Sequence, residues 1–276
     1  MSVPRRIRSF LTTTRVGGLL LAPYRFKTAA SYHFPQIVQA FSWSFKSREF
    51  TNFTYDLSSD NVDYLTHTIA AVTGVPYSTV RSHIAELEDD VDLRAHIDDR
   101  FRSGRKRYYS DPKCAFGRRL GWYAIARILK PRVIVETGVD KGLGSVVLCS
   151  ALLRNQSEGH PGIYLGTDIN HEAGFLLGGP YREVGRILYG DSIESLRSIP
   201  SIDLFINDSD HSVAYERREY EVVADKLTVN AFILGDNSHC TSELAQFSAK
   251  HGRKFLFFKE QPKDHWYPGA GIGISY

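Results

Sequence analysis

Two short stretches of the chain concentrate oxygen and nitrogen donors. DSDH brings Asp208, Asp210 and His211 together at the end of one apolar run, and GDNSH brings Asp236, Asn237 and His239 together at the end of another. Asp208, Asp236 and Asn237 are hard oxygen ligands. Three of them with open positions suit Mg²⁺, or Mn²⁺, completed by water and a substrate oxygen. A cation would also relieve the repulsion of two carboxylates at one rim. The competing reading is that these residues cap the helices that follow, where Asp and Asn are favoured. A hydroxyl oxygen bound to such a cation has its pKa lowered; His211 or Asp210 would then accept its proton. His239 would orient a substrate or cap the next helix.

A third stretch is glycine-rich. VETGVDKGLGS, Val135 to Ser145, follows a β-branched apolar run and precedes a helix-length apolar segment. Gly138, Gly142 and Gly144 let the backbone turn sharply and approach a ligand closely. Strand, glycine turn and helix form the nucleotide-cofactor entrance of a doubly wound α/β sheet, and Glu136, Asp140 and Ser145 belong to it. Asp168 stands 24 residues beyond Gly144, where an acid accepts hydrogen bonds from a ribose diol. Asp191 and Ser192 are placed to meet an adenine edge. The loop alone leaves two cofactors open. As Thr-Gly-x-x-x-Gly-x-Gly it looks like a short-chain dehydrogenase, and as Glu-x-Gly-x-x-x-Gly like a class I S-adenosylmethionine (SAM) methyltransferase. The dehydrogenase would need a Tyr-x-x-x-Lys pair for proton transfer. No tyrosine beyond the loop has a lysine four residues on; Tyr109 and Lys113 have the spacing but lie upstream.

The elements that must hold these residues follow from periodicity. Strands are expected at 132–136, 163–168, 186–189, 202–208, 231–236, 254–259 and 271–276, with helices at 143–154, after Asn170, and at 192–198, 212–227 and 242–251. Five parallel strands with crossover helices and a closing pair of strands predict a Rossmann-like seven-stranded α/β sheet. Ligands in such sheets bind beyond the carboxyl ends of the strands, which is where all three stretches fall.

Ahead of this domain, expected over 113–276, the pattern is different. Residues 58–112 read as a helical cap or oligomerisation region ending in a basic linker, Arg100 to Arg107. Val62, Leu65, Ile69 and Val72, then Val80, Ile84 and Leu87, fall at helical spacing. The acidic run Glu86 to Asp92 excludes nucleic acid as the partner of these helices, since phosphates demand Lys and Arg. Residues 1–57 form a basic arm: the first 48 carry eight Lys and Arg and no acid. Such an arm lies on an anionic membrane surface or a partner, or docks on its own domain.

The 276 residues are 42% apolar and 24% charged, with a net charge of +3. That is a globular composition long enough for a sizeable core. Cys114, Cys149 and Cys240 are isolated from one another, which points to a reducing, cytoplasmic setting, with membrane association through the arm as the variation.

Residues 113–276 resemble the class I methyltransferases, and within them the metal-dependent O-methyltransferases: the catechol and caffeoyl-coenzyme A type, and more closely the macrocin O-methyltransferase and cephalosporin hydroxylase-like group. Asp208-Ser209-Asp210-His211 matches that group's acidic strand end followed by histidine, and Asp236-Asn237 the catechol type's Asp-Asn pair. The resemblance implies SAM contacts at Glu136, Gly138, Gly142 and Asp168, with Asp191 and Ser192 at the adenine, and metal ligation by Asp208, Asp236 and Asn237. Where the catechol type has a lysine three residues past the first metal aspartate, His211 stands here. The implied acceptor is a hydroxylated small molecule, such as a saccharide or glycosylated metabolite. His265, Trp266 and Tyr267, in the loop between the last two strands, would form a lid over it or a packing plug. The alternatives are an NAD(P)-dependent oxidoreductase on the same loop and a non-catalytic cofactor-binding interaction protein.

Overall fold

A computed structural model describes residues 5–49, 52–103, 111 and 114–276. The chain forms two compact units: Met1–Ser47 with Asp264–Tyr267, and Arg48–Lys263 with Pro268–Tyr276.

The second unit is built on a seven-stranded sheet in the order β3-β2-β1-β4-β5-β7-β6. Its strands are β1 (Val133–Thr137), β2 (Ile163–Asp168), β3 (Gly185–Tyr189), β4 (Ile202–Asn207), β5 (Leu227–Asp236), β6 (Phe255–Lys259) and β7 (Gly271–Ser275). The first five are parallel, and β7 inserts antiparallel between β5 and β6. The predicted architecture is the observed one. Strand order reverses at β1, so the ends of β1, β2, β4 and β5 lie side by side at the switch point where such sheets bind ligands. Because β6 is antiparallel to β7, it runs with β5, and Glu260 just beyond it reaches the same rim.

Both faces of the sheet are covered, and each strand reads as an apolar run accordingly. Val135, Leu165, Phe205 and Ile233 pack with Leu196, Tyr220, Val223, Leu244 and Phe247. These come from α9 (Ser192–Arg197), α10 (Val213–Val223) and α11 (Glu243–Lys250). The other face is covered by α8 (Leu143–Ser157), on which α7 (Arg119–Leu129) packs. Burying Trp122, Tyr123, Tyr164 and Phe205 completely contributes roughly 2–3 kcal/mol of transfer free energy apiece.

The helices of the expected cap belong to this same unit. In α4 (Ser59–Thr73) the Ser58 side chain accepts the Asn61 amide at the N-terminus, and Gly74 closes the C-terminus at φ +72°. Leu65, Ile69 and Val72 are its buried stripe. α5 (Tyr77–Glu88) buries Val80, Ile84 and Leu87. Between them Gly74 leaves the helix in a conformation glycine adopts at little cost, and Pro76 cannot continue it.

Three expectations change. The acidic run leads into a further helix, α6 (Val91–Ser103), so Arg100–Ser103 is helical rather than linker; Leu93, Ile97 and Phe101 are buried at a helical spacing. The rest of that linker, with Pro112, lies outside the described residues. The crossover from β2 to β3 carries only a 3₁₀ turn, Gly179–Glu183. Its apolar Phe175, Leu176 and Leu177 mimic a helix, but Gly174, Gly178, Gly179 and Pro180 interrupt the backbone. Finally, Leu227 opens β5 instead of ending α10.

The first unit consists of α1 (Arg5–Thr13), α2 (Arg15–Leu20) and α3 (Ala22–Lys46), with 264–267 packed on α3. Trp43 meets Trp266 edge-on at 5.2 Å and His265 at 6.2 Å. His265, Trp266 and Tyr267 thus form a packed aromatic cluster inside this unit.

Candidate active site at the carboxyl ends of the strands

The glycine loop is shaped by close approaches. Gly138 has φ +78°, and a Cβ there would sit 2.0 Å from the Asp208 carbonyl oxygen. Only glycine lets the end of β1 pass the end of β4 so closely. Gly142, at φ +87°, opens α8 with no side-chain cap. The first amides of a 15-residue helix therefore face the loop uncapped, a site suited to a carboxylate. Gly144 serves the interior: a Cβ would meet the Glu136 carboxylate at 2.3 Å.

Glu136 itself is buried. It accepts a hydrogen bond from the Tyr164 hydroxyl, which lies 2.8 Å from Ser145 Oγ. Burial raises the Glu136 pKa to about 7, with the Tyr164 hydrogen bond pulling the other way. Glu136 and Ser145 thus support the loop from beneath. Asp168 takes the Val139 and Asp140 amides on Oδ2, at 3.1 and 3.0 Å, and the Asn170 amide on Oδ1 at 2.8 Å. It clamps the loop from the end of β2. Asp140 holds φ +44° at the turn, its carbonyl accepting the Gly174 amide at 2.7 Å.

Asp191 caps α9, accepting the Ile193 amide at 2.8 Å, and also accepts from the Tyr215 hydroxyl at 3.1 Å. Ser192 is buried and donates to Glu219. Sequence reasoning missed Glu219, a fully buried carboxylate on α10. It accepts from Thr137 (3.3 Å), Ser192, Asn207 and Ser209 (2.8 Å), tying together the ends of β1, β3 and β4. Burial raises its pKa, and its four hydroxyl and amide donors oppose the rise. In the sequence it is one acid among several on a charged helix.

At the ends of β4 and β5 the structure brings Asp208, His211 and Asp236 together, one donor atom from each lying within 4.8 Å of the others. His211 Nε2 is 3.7 Å from Asp208 and 3.0 Å from the Asn237 amide nitrogen, and Nδ1 is 3.3 Å from Glu216. Asn237 adopts φ +51° and turns its amide to the histidine. Burial lowers the His211 pKa, but hydrogen bonds to Asp208 and Glu216 and the charges of Asp208 and Asp236 outweigh it, raising the pKa to about 10. The two acids favour the protonated ring, whereas the Asn237 amide nitrogen facing Nε2 favours the neutral one. Asp210 is exposed and accepts the Ser212 amide at 2.9 Å, closing the turn ahead of α10. His239 is exposed on the turn after β5, near the Cys240 thiol.

Arg118 was also missed, and it alters the electrostatics most. Its guanidinium grips both oxygens of Asp236, with Nη2 to Oδ2 at 2.6 Å, and lies 3.7 Å from Glu260. The Arg118 amide donates to Glu260 at 3.1 Å, and the Tyr55 hydroxyl donates to Glu260 at 3.0 Å. Asp236 is fully buried, and its pKa rises to about 7: burial raises it, Arg118 lowers it, and Asp208 raises it again. The repulsion that argued for a metal is thus already offset by a protein cation. No local pattern marks Arg118, which lies 118 residues before its partner.

The two-carboxylate, one-imidazole donor set nevertheless fits a small divalent cation, since a carboxylate held by a guanidinium keeps outward lone pairs. An imidazole among the donors would shift the preference away from Mg²⁺ toward softer divalent ions. A separate cleft of about 620 Å³ opens between α4, α5 and the start of α7, lined by Asp63, Arg81, Glu88, Arg94 and Phe116 among others. It contains none of the strand-end residues.

Residues 135–238 match the family model described as a methyltransferase domain. No curated protein matches the chain. Among solved structures, the fold is similar to that of TomG, an O-methyltransferase from Streptomyces achromogenes involved in tomaymycin synthesis and solved in complex with SAM. The likeness has 12% identity and a TM-score of 0.50, covering 68% of this chain and 90% of that one. A methyltransferase from Geobacter sulfurreducens is 17% identical, with 71% and 96% covered and a TM-score of 0.49. The stretch from β1 to the turn after β5 is thus similar to a methyltransferase domain, and it is carried on a Rossmann-like fold that TomG shares.

Proposed function

We propose that the protein transfers the methyl group of SAM to a hydroxyl of a small molecule, with the acceptor held at Asp208, His211 and Asp236. The observation that carries this reading is the convergence of those three donors beside an uncapped glycine-loop helix. SAM supplies an electrophilic methyl group. The residues that would hold it are the loop from Gly138 to Gly144, with the α8 amides toward its carboxylate, Asp168 toward the ribose, and Asp191 and Ser192 toward the adenine. Holding the acceptor oxygen in line supplies a large part of the rate.

A divalent cation held by Asp208 and Asp236, with Asn237 beside them, would stabilise the developing alkoxide. Neutralising the two aspartates also removes the charges that keep the proton on His211, which frees Nε2 to accept one. Asp210 is engaged in the turn ahead of α10. A saccharide or glycosylated metabolite is the acceptor class we favour, because the site offers several polar groups for a polyol. A second reading has a specific observation behind it: Arg118 on Asp236 supplies a fixed positive charge, and transfer then needs no metal.

Methyl transfer from labelled SAM to a panel of hydroxylated acceptors, in Mg²⁺, Mn²⁺ or EDTA, tests both. Under the metal reading, EDTA and Asp208→Ala each reduce turnover at least ~100-fold. Full activity in EDTA would leave the arginine reading, and no methylated product with any acceptor would remove both.

A further inference from the structure

The first unit presents an apolar surface that the transferase reaction does not use. Of the 21 large hydrophobic side chains exposed among the described residues, 12 lie between Phe10 and Phe45. Scattered exposed hydrophobics are ordinary, but a contiguous patch marks an interaction surface. Along α3 the spacing is ordered. Phe34, Ile37, Val38, Phe41 and Phe45 are each more than half exposed and recur at intervals of three and four residues, forming one stripe. Phe41 and Phe45 touch edge to face at 5.1 Å. Trp43 points the opposite way, into the cluster with His265 and Trp266. The packing of α3 within its unit is thus confined to its end around Trp43, and no residue of the helix is buried.

Charge identifies the occupant. Residues 1–48 hold eight Lys and Arg and no acid, and Arg15, Arg25, Lys27 and Lys46 are exposed. Asp264 is the one acid of the unit, and so strongly positive a surface complements anionic headgroups better than a protein face that mixes both signs. No helix among the described residues is long and apolar enough to cross a membrane, and Pro35 lies inside α3. Such a helix lies in the interface plane. We propose that the first unit docks on an anionic lipid bilayer, with the Phe34-to-Phe45 stripe in the boundary between headgroups and acyl chains and the basic residues at lipid phosphates.

The test is flotation of the full-length protein with vesicles of phosphatidylcholine alone or with about one third phosphatidylserine. Binding should be at least ~10-fold tighter to the anionic vesicles and should weaken at least ~10-fold between about 0.1 and 0.5 M salt. Two variants separate the contributions. Ile37→Ser/Phe41→Ser should lose binding at all salt concentrations. Arg25→Glu/Lys27→Glu should lose only the preference for anionic vesicles. Both should keep the parent's melting temperature and helix content. Equal binding to the two vesicle types, no binding, or unchanged binding by the stripe variant would overturn the proposal. So would sedimentation velocity showing that the stripe variant abolishes a dimer of a protein that ignores vesicles, because the occupant is then a second copy of the chain.

Discussion

At the scale of single residues, the site turns on how Asp236 is neutralised. A fully buried carboxylate needs a partner, because an unpaired charge in the interior costs several kcal/mol. Arg118 is that partner, and it also neutralises Glu260. Replacing Arg118 by Met keeps much of the stem's packing over Trp122 but strands two buried acids. We expect Arg118→Met to destabilise the sheet domain by about 3–5 kcal/mol in urea unfolding. Millimolar Mn²⁺ should then recover more stability in the variant than in the parent, because the freed carboxylate becomes a better ligand. Loss of stability with no differential recovery would show that the guanidinium and a cation do not compete at Asp236. Glu219 is neutralised differently, by four neutral donors. Its role is to position three strand ends rather than to react.

At the scale of elements, the ends of β1 and β4 meet at Gly138. Alanine there would bring a methyl group within 2.0 Å of the Asp208 carbonyl, at a φ of +78° that side chains rarely adopt. Gly138→Ala should therefore cost more than ~1 kcal/mol and push the β4 end away from the loop. It should weaken binding of S-adenosylhomocysteine at least ~10-fold by calorimetry, and Gly252→Ala, also at positive φ but with nothing within 4 Å, should leave that binding unchanged. This contact explains which parts of the molecule were legible in the sequence. Buried parallel strands are bounded apolar runs, and the residues at the sheet's rim follow each run directly, so β1 to β7 and the strand-end positions of Asp208, His211 and Asp236 were readable locally. The glycine spacing showed that a close approach existed but not what approached. Arg118, Glu219 and Glu260 act through partners brought near only by folding, and no period encodes such pairs. The β2 to β3 crossover misled because an apolar triplet among glycines satisfies the helix pattern without sustaining a helix.

At the scale of the whole molecule, α4, α5 and α6 share one compact unit with the sheet, so a ligand bound at the strand rim should stabilise them together. Hydrogen bonds make the linkage: Arg100 on α6 donates to the Phe175 carbonyl at 2.9 Å, and the Leu176 amide donates to the Lys141 carbonyl in the glycine loop at 3.0 Å. Ordering the loop therefore restrains the segment that α6 holds. A ligand at 100 times its Kd adds about 2.7 kcal/mol to the stability of the state that binds it. For a domain of this size that is a rise in Tm of roughly 5–10 °C. We expect S-adenosylhomocysteine to produce this shift and NAD or NADP to produce none. Hydrogen exchange should slow in α6 and the β2 to β3 crossover as well as in the glycine loop. A shift with NAD alone would return the loop to the dehydrogenase reading. A shift with S-adenosylhomocysteine that leaves exchange in α6 unchanged would mean that the helical region does not sense the cofactor and is only a neighbour of the site.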